Sequence, residues 1–381
     1  MILFRPGSHL DFLVTLLSIV GEYPVQSVSL LGNERVMKAL IHDLALPQSF
    51  HNSITGEKFS GRILSISGKS PNKTIRLCKS ALPLLAWAGT DRYYLSAWGR
   101  QVFSGNRAHV ERNHRVAETV AMFLRAGIEC RPWRLPSLQL RQREAIIREP
   151  NVYLSKDLKQ IEEGELNKTR YTRLTGALFS PGSCLAIYNT RNAVMRWVGD
   201  GEFKTRHDLI RIGRLNAEVN DVDSAVLFGR SYELALKTIE VSVPKGKPEN
   251  RFDGVYRHIF FLPLNEFGIR QTALLTLPDR KEQILDLLFE PETRSYGNGS
   301  FEYDAYIDRT HVFSFLDSDI ARLIRFAAAA EDRRRRFEVV CFPEQLDFLR
   351  SCLPAQTHYK TIELSALEDA LGVKARCLLD R

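Results

Sequence analysis

The chain is poor in the patterns that mark membrane, metal and nucleotide proteins. Its longest apolar stretch, FLVTLLSIV at 12–20, is half the roughly 18 residues a bilayer-spanning helix needs, and it lies inside a helical pattern. The first residues, MILFRPGSHLDFL, lack the basic head and small-residue cleavage site of a secretory signal. A soluble, cytoplasmic protein with no membrane partner is the expectation. The six cysteines (Cys78, Cys130, Cys184, Cys341, Cys352 and Cys377) form no C-x-x-C pair. Zinc ribbons and disulfide frameworks need closer, patterned spacing, so buried reduced thiols are expected. The 23 glycines form no G-x-x-x-x-G-K-[ST] and no G-x-G-x-x-G, which leaves nucleotide cradles without support. H-E-x-x-H, G-x-S-x-G and any triad order of serine and histidine are also missing.

What is present is length and lopsided charge. At 381 residues the chain exceeds what one core usually supports, and two or three domains are expected. The net charge is +8, but residues 1–150 carry 20 Lys and Arg against 11 Asp and Glu, while residues 151–381 carry 33 against 34. The whole cationic surplus lies in the first part. Such a local excess suits a polyanion, nucleic acid being the commonest; a basic surface kept for solubility is the alternative.

Helical spacing of Leu10, Leu13, Val14, Leu17 and Val20 predicts a helix over 9–20, ended by Gly21. A short helix, Val25 to Leu31, is expected after Pro24. Gly32 and Asn33 then break the chain, and Asn33 can cap a third helix, Glu34 to Leu46. Val36, Leu40, Ile41 and Leu44 are expected inward, with Arg35, Lys38 and His42 on the outer face. RILSIS (62–67) and TIRLC (74–78) alternate like strands, joined by the cationic turn GKSPNK. Three helices and then a basic hairpin is the winged-helix order, and the polar third helix and cationic turn favour a DNA reader over a plain bundle. A further amphipathic helix spans 106–127. Arg107, Arg112, His114 and Arg115 crowd its start, where cations oppose the helix dipole and either meet phosphate or are merely solvated. The organisation predicted is a winged-helix domain over 1–130, a basic linker over 131–150, and a mixed-sheet α/β domain over 151–381.

In that last part, a hairpin over 171–191 is followed by strands and helices in alternation, the pattern of an α/β domain. A metal-dependent nuclease on such a domain would need an Asp on one strand and Asp/Glu-x-Lys on the next, to hold Mg²⁺ and orient water. The hairpin instead offers Thr175 and Tyr188-Asn189-Thr190, and no Asp occurs between Asp157 and Asp200. Asp157-Leu158-Lys159 is expected in a helix, and Glu202-Phe203-Lys204 in a loop, GDGEFKTRHD. Asp253 with Asp279 and Lys281 makes the rival catalytic set, although Thr276 and Asp279 also read as a capping box. Asp304, Asp308, Asp317 and Asp319 match no Ca²⁺ loop and read as surface carboxylates or helix caps. The run Arg333 to Arg336 suits a helix C-terminus or a second DNA contact. A non-catalytic domain without a cofactor is expected.

Three segments, SLLGNERVMKALIHDL, RNHRVAETVAMFLRAGIE and RLTGALFSPGSCLAIYNTRNAVMRW, resemble the plasmid replication-relaxation type accessory proteins of bacterial conjugative and mobilisable elements. The likeness is one of pattern and order over about a fifth of the chain. It implies a winged helix joined to a degenerate restriction-endonuclease-like domain, double-stranded DNA near an origin as ligand, and a relaxase or replication protein as partner, with homo-oligomers allowed. That family's nuclease-like residues do not carry over to Thr175 and Tyr188. The DNA-binding set expected is Arg35, Lys38, His42, Lys69, Lys73, Arg76, Arg112 and Arg115. The rivals are a Mg²⁺-dependent nuclease and a winged-helix transcription regulator.

Overall fold

Alternating and amphipathic segments of the first third of the chain build two small sheets braced by helices. The computed structural model describes residues 1–70, 72–98, 106–132, 147–158, 173–194, 200–241, 252–295, 301–332 and 334–375. It opens with β1 (Ile2–Phe4) and α1 (His9–Val20), whose apolar residues are buried as their spacing predicts. Gly21 closes α1 at φ 78, donating its N–H to the Leu17 carbonyl at 2.8 Å. Next come β2 (Glu22–Pro24), a 3-10 turn over Val25–Leu31, and α2 (Glu34–Leu44). The expected short helix is that 3-10 turn, kinked at Ser27, and Pro24 ends a strand instead of opening a helix. β3 (Gln48–Asn52) and β4 (Lys58–Gly61) pair with β1 in the order β1-β3-β4. β5 (Leu64–Ser67) and β6 (Thr74–Leu77) join β2 in the all-antiparallel order β2-β6-β5. Helices α3 (Leu82–Trp87), α4 (Asp91–Trp98) and α5 (Arg107–Arg125) complete the unit.

The second part opens with β7 (Asn151–Leu154), α6 (Ser155–Leu158), β8 (Gly176–Ser180) and β9 (Ser183–Arg191). α7 (Asp200–Ala217), β10 (Ser224–Gly229), α8 (Tyr232–Val241), α9 (Phe252–Val255) and β11 (His258–Pro263) follow. The sheet runs β11-β10-β9-β8-β7: an antiparallel meander β7-β8-β9 continued by the parallel strands β10 and β11. α10 (Glu266–Ala273) and α11 (Arg280–Leu288) lead to a second sheet. It is made of β12 (Ala305–Ile307), β13 (Thr310–Ser314), β14 (Arg336–Cys341) and β15 (His358–Thr361), in that order. α12 (Ile320–Ala330), α13 (Leu346–Cys352) and α14 (Leu364–Leu371) connect and flank these strands. The architecture is mixed α+β. No helix among the described residues is long and apolar enough to cross a membrane.

The five-stranded sheet is buried on both faces, and its residues divide by the period-two rule of a strand. Val152, Leu178, Ile187, Val226 and Phe228 join the core of the N-terminal unit. Their neighbours Tyr153, Ala177, Phe179, Ala186, Tyr188, Ala225 and Leu227 face the second core beneath α7. α5 is the element that docks the two parts, with Phe123 edge-on to Phe228 at 5.6 Å. The two parts therefore share a core. Most of the expected linker, residues 133–146, lies outside the described residues.

Several expectations are corrected. GDGEFKTRHD is not a loop but contains the first turns of α7. The buried residues there are Glu202, Thr205, Asp208, Leu209, Ile212, Gly213, Asn216 and Ala217, so half of the helical period is carried by polar residues and the apolar pattern is faint. The capping box fails as well. Thr276 bonds back to the Ala273 carbonyl within a 3-10 turn, and Asp279, left-handed at φ 47, makes no side-chain cap bond to α11. Of the acidic group, only Asp308 is exposed. Asp304, Asp317 and Asp319 are buried around Arg322, which is itself 1% exposed. Asp319 does cap α12, accepting from the amides of Ala321 and Arg322. Five cysteines are free thiols, three of them buried; Cys377 lies outside the described residues.

Candidate nucleic-acid interface

α2 is set by its cap and its inner stripe. The Asn33 side chain accepts from the amides of Arg35 (3.1 Å) and Val36 (3.3 Å), satisfying two of the free donors at the helix start. Met37, Ile41 and Leu44 are buried and Leu40 is half-buried. Val36, expected inward, is 45% exposed, because the inward arc is centred on Met37 and Leu44. Arg35, Lys38 and His42 are exposed as expected. Lys38 is engaged with Glu34 at 2.5 Å, and His42 Nδ1 lies 3.6 Å from Asp43. Arg35 has no ion pair among the described residues.

The turn between β5 and β6 is held by its backbone. Gly68 sits at φ 81, and a Cβ there would lie 2.7 Å from the Asn72 carbonyl oxygen. That position therefore needs glycine. The Asn72 N–H donates to the Lys69 carbonyl at 2.7 Å. The Val25 N–H donates to the Lys73 carbonyl at 2.9 Å, which ties the end of this turn to the start of the 3-10 segment preceding α2. Lys69 and Lys73 are exposed, with no ion pair among the described residues. Arg76 differs. Its guanidinium is held by the buried Glu22 carboxylate at 2.6–2.8 Å, and Asn113 of α5 bonds the other Glu22 oxygen.

α5 divides in the same way. Arg107 and Arg112 are exposed. His114 is 1% exposed, with Nε2 3.0 Å from the Thr74 hydroxyl on strand β6. Thr74 donates its own hydrogen to the Asn72 carbonyl, so the imidazole N–H is the donor to Thr74. Burial, with Arg191 nearby, pushes the His114 pKa down to about 4, and the ring is neutral. Arg115, expected to be free for phosphate, is half-buried against Glu111, and burial lowers its pKa too. One turn on, Glu118 is buried. It accepts from Ser27 (2.5 Å), from Arg191 Nε (2.9 Å) and from Asn189 (3.4 Å), while Arg191 also reaches Glu111 at 2.7 Å. Further along, buried Arg125 bonds the Leu30 carbonyl and Glu266. The sequence signal for this network was available: His114, Glu118 and Arg125 fall among Ala117, Ala121 and other buried residues of the helix.

The strand positions where a nuclease would need carboxylates carry hydroxyls tied inward. In the β8–β9 register Thr175 lies just before Gly176, which faces Ile187, and the Thr175 hydroxyl bonds the Ile187 carbonyl at 2.9 Å. Tyr188 bonds Tyr256 at 2.9 Å, both buried. Of the rival set, Asp279 is exposed at the start of α11 and the Lys281 ammonium lies 3.8 Å from Asp304. The Asp253 side chain lies outside the described residues. Arg322 gathers the acidic group, bonding Asp304 at 2.6 Å and Asp317 and Glu302 at 3.3 Å. Burial raises Asp317. It also pushes Asp319 upward, but the His258 ring at 2.7 Å, the Arg322 guanidinium and the Ile259 amide together outweigh it and hold that carboxyl low. No group of three or more His, Cys, Asp or Glu placed to hold a metal ion occurs among the described residues. Compared with family models, with curated proteins and with solved structures, the chain finds no match.

Proposed function

We propose that this protein binds double-stranded DNA. α2 lies in a major groove, and Lys69 and Lys73 of the β5–β6 turn grip the adjacent backbone. Lys38, His42 and Arg112 extend the footprint, and Arg35 reaches base edges. The observation that carries the reading is the order α1, β2, 3-10 turn, α2, β5, β6 with strands hydrogen-bonded as β2-β6-β5. This order supports a winged-helix reading, with β3 and β4 as an insertion after α2. Its two DNA-facing elements here carry exposed cations, in the part of the chain that holds the whole positive surplus. Arg76 and Arg115 leave the contact set, because Arg76 is held by buried Glu22 and half-buried Arg115 lies against Glu111.

The meander β7-β8-β9 running into parallel β10 supports reading the second part as a restriction-endonuclease-like core. The hydroxyls of Thr175 and Tyr188 at its two key positions favour a non-catalytic, supporting role. With the resemblance of its three sequence segments, we read the protein as an accessory protein of a mobile element, acting at an origin beside a relaxase or replication protein. The test is fluorescence anisotropy of a labelled duplex with the full chain over a salt series. Lys38, Lys69, Lys73 and Arg112 as phosphate contacts give a slope of log affinity against log salt of about −3 to −4, and Lys69→Ala with Lys73→Ala reduces it by about 2 for every sequence alike. No duplex binding in dilute buffer would refute the function, and an unchanged slope in the double variant would remove the wing.

A further inference from the structure

The exposed face of α2 limits which bases it can read. Bidentate readout of adenine calls for Asn or Gln, and readout of cytosine calls for a carboxylate. α2 contains no Asn, Gln, Ser or Thr. The Asn33 side-chain oxygen is spent on the cap, the Glu34 carboxylate is held by Lys38, and Asp43 lies beside His42 at the far end. What remains uncommitted near the N-terminal turns, the part of such a helix that meets base edges, is the Arg35 guanidinium and two apolar groups, Val36 and Ala39, both exposed. A single exposed aliphatic residue is ordinary on any surface. Here, though, a β-branched residue occupies an outer helix position, one helical step from Ala39 and next to the one cation of the helix without an ion pair among the described residues.

We propose that α2 reads thymine through its C5-methyl group, packed against Val36 and Ala39, beside a guanine held by Arg35. The inference rests on the duplex-binding reading and adds a base vocabulary to it. Guanine presents O6 and N7 to a guanidinium, and thymine presents the one methyl in the major groove. Val36 contributes little to the core of the protein, so Val36→Ser leaves the fold intact.

The experiment first selects a preferred duplex from a random pool using the full chain. Each thymine of that duplex is then replaced in turn by deoxyuridine, which removes only the methyl, and each guanine by 7-deazaguanine, which removes the N7 acceptor. The expected result is one or two thymine positions at which uracil weakens wild-type binding about fourfold, the worth of one buried methyl. Val36→Ser binds the thymine and uracil duplexes equally. An adjacent guanine is sensitive to the 7-deaza change in wild type and insensitive in Arg35→Ala. A uracil scan flat at every position, with duplex binding intact, overturns this inference and leaves the duplex reading standing. A uracil loss that persists in Val36→Ser overturns the assignment to α2. Failure to bind any duplex sinks both.

Discussion

Replacing Arg191 by Met tests the joint between the two parts of the molecule. Both partners are almost sealed from water: the Arg191 side chain is 3% exposed and that of Glu118 is 2% exposed, with Nε and Oε2 2.9 Å apart. Methionine keeps the aliphatic length and removes the cation. It also inherits the left-handed φ of 52 that any side chain other than glycine must bear there, so backbone strain stays constant. Glu111, 38% exposed at its side chain, can rehydrate, but Glu118 cannot. It keeps only Ser27 and Asn189 as donors. An uncompensated buried carboxylate of this kind costs about 3–5 kcal/mol. Removing both charges, as in Arg191→Met with Glu118→Leu, takes away the charge penalty and leaves one unmet neutral polar group, the Ser27 hydroxyl, at about 1–3 kcal/mol, because Asn189 still bonds the Arg115 carbonyl. The double variant is therefore expected to be more stable than the single by about 1–2 kcal/mol. Urea unfolding followed by fluorescence measures both, and a double-mutant cycle isolates the pair. If Arg191→Met unfolds at the wild-type urea concentration, or if the double variant is as unstable as the two single losses added, the pair does not hold the joint as argued.

Two further outcomes are expected. His114 has a folded pKa of about 4 against an ordinary 6.5, so between those values the unfolded chain takes up a proton that the folded one refuses. Its contribution is complete above about pH 6.5 and is lost as pH falls, by up to about 1.4 kcal/mol per pH unit. Asp157, pushed up to about 6 by burial, acts in the opposite sense over an overlapping window. The measurement is therefore the difference between wild type and His114→Gln from pH 7 to pH 4, and a difference that does not change with pH would refute the burial argument. Supercoiled plasmid incubated with the protein and Mg²⁺ is expected to stay supercoiled. Nicking that disappears in Asp279→Ala would restore the nuclease.

Local chemistry wrote much of the fold into the sequence. The spacing of Leu10 to Val20, the cap at Asn33, the turn at Gly68 and the alternation of TIRLC each depend on residues within a few positions of one another, and each forms where expected. The exposed cations Arg35, Lys69, Lys73 and Arg112 were legible for the same reason: a charge with no nearby claim on it stays in water. α7 was not legible, because half of its buried residues are polar and the hydrophobic periodicity that marks a helix interior is faint there. Nor was the sheet β1-β3-β4, whose strand β1 pairs with a strand 48 residues further along the chain.

Tertiary structure alone decided which partners the interior polar residues meet. Nothing near Arg76, Arg115 or Arg191 in the chain says that each will be enclosed by segments up to 80 residues distant. A charged side chain goes inside only where folding brings it a partner, and the partner's identity is a property of the assembled core. The sequence by itself set the helices, the turn and the sign of the surface. Only the packing of α5 against β2, β6 and β9 sorted the cations into those that hold the molecule together and those left to meet a ligand.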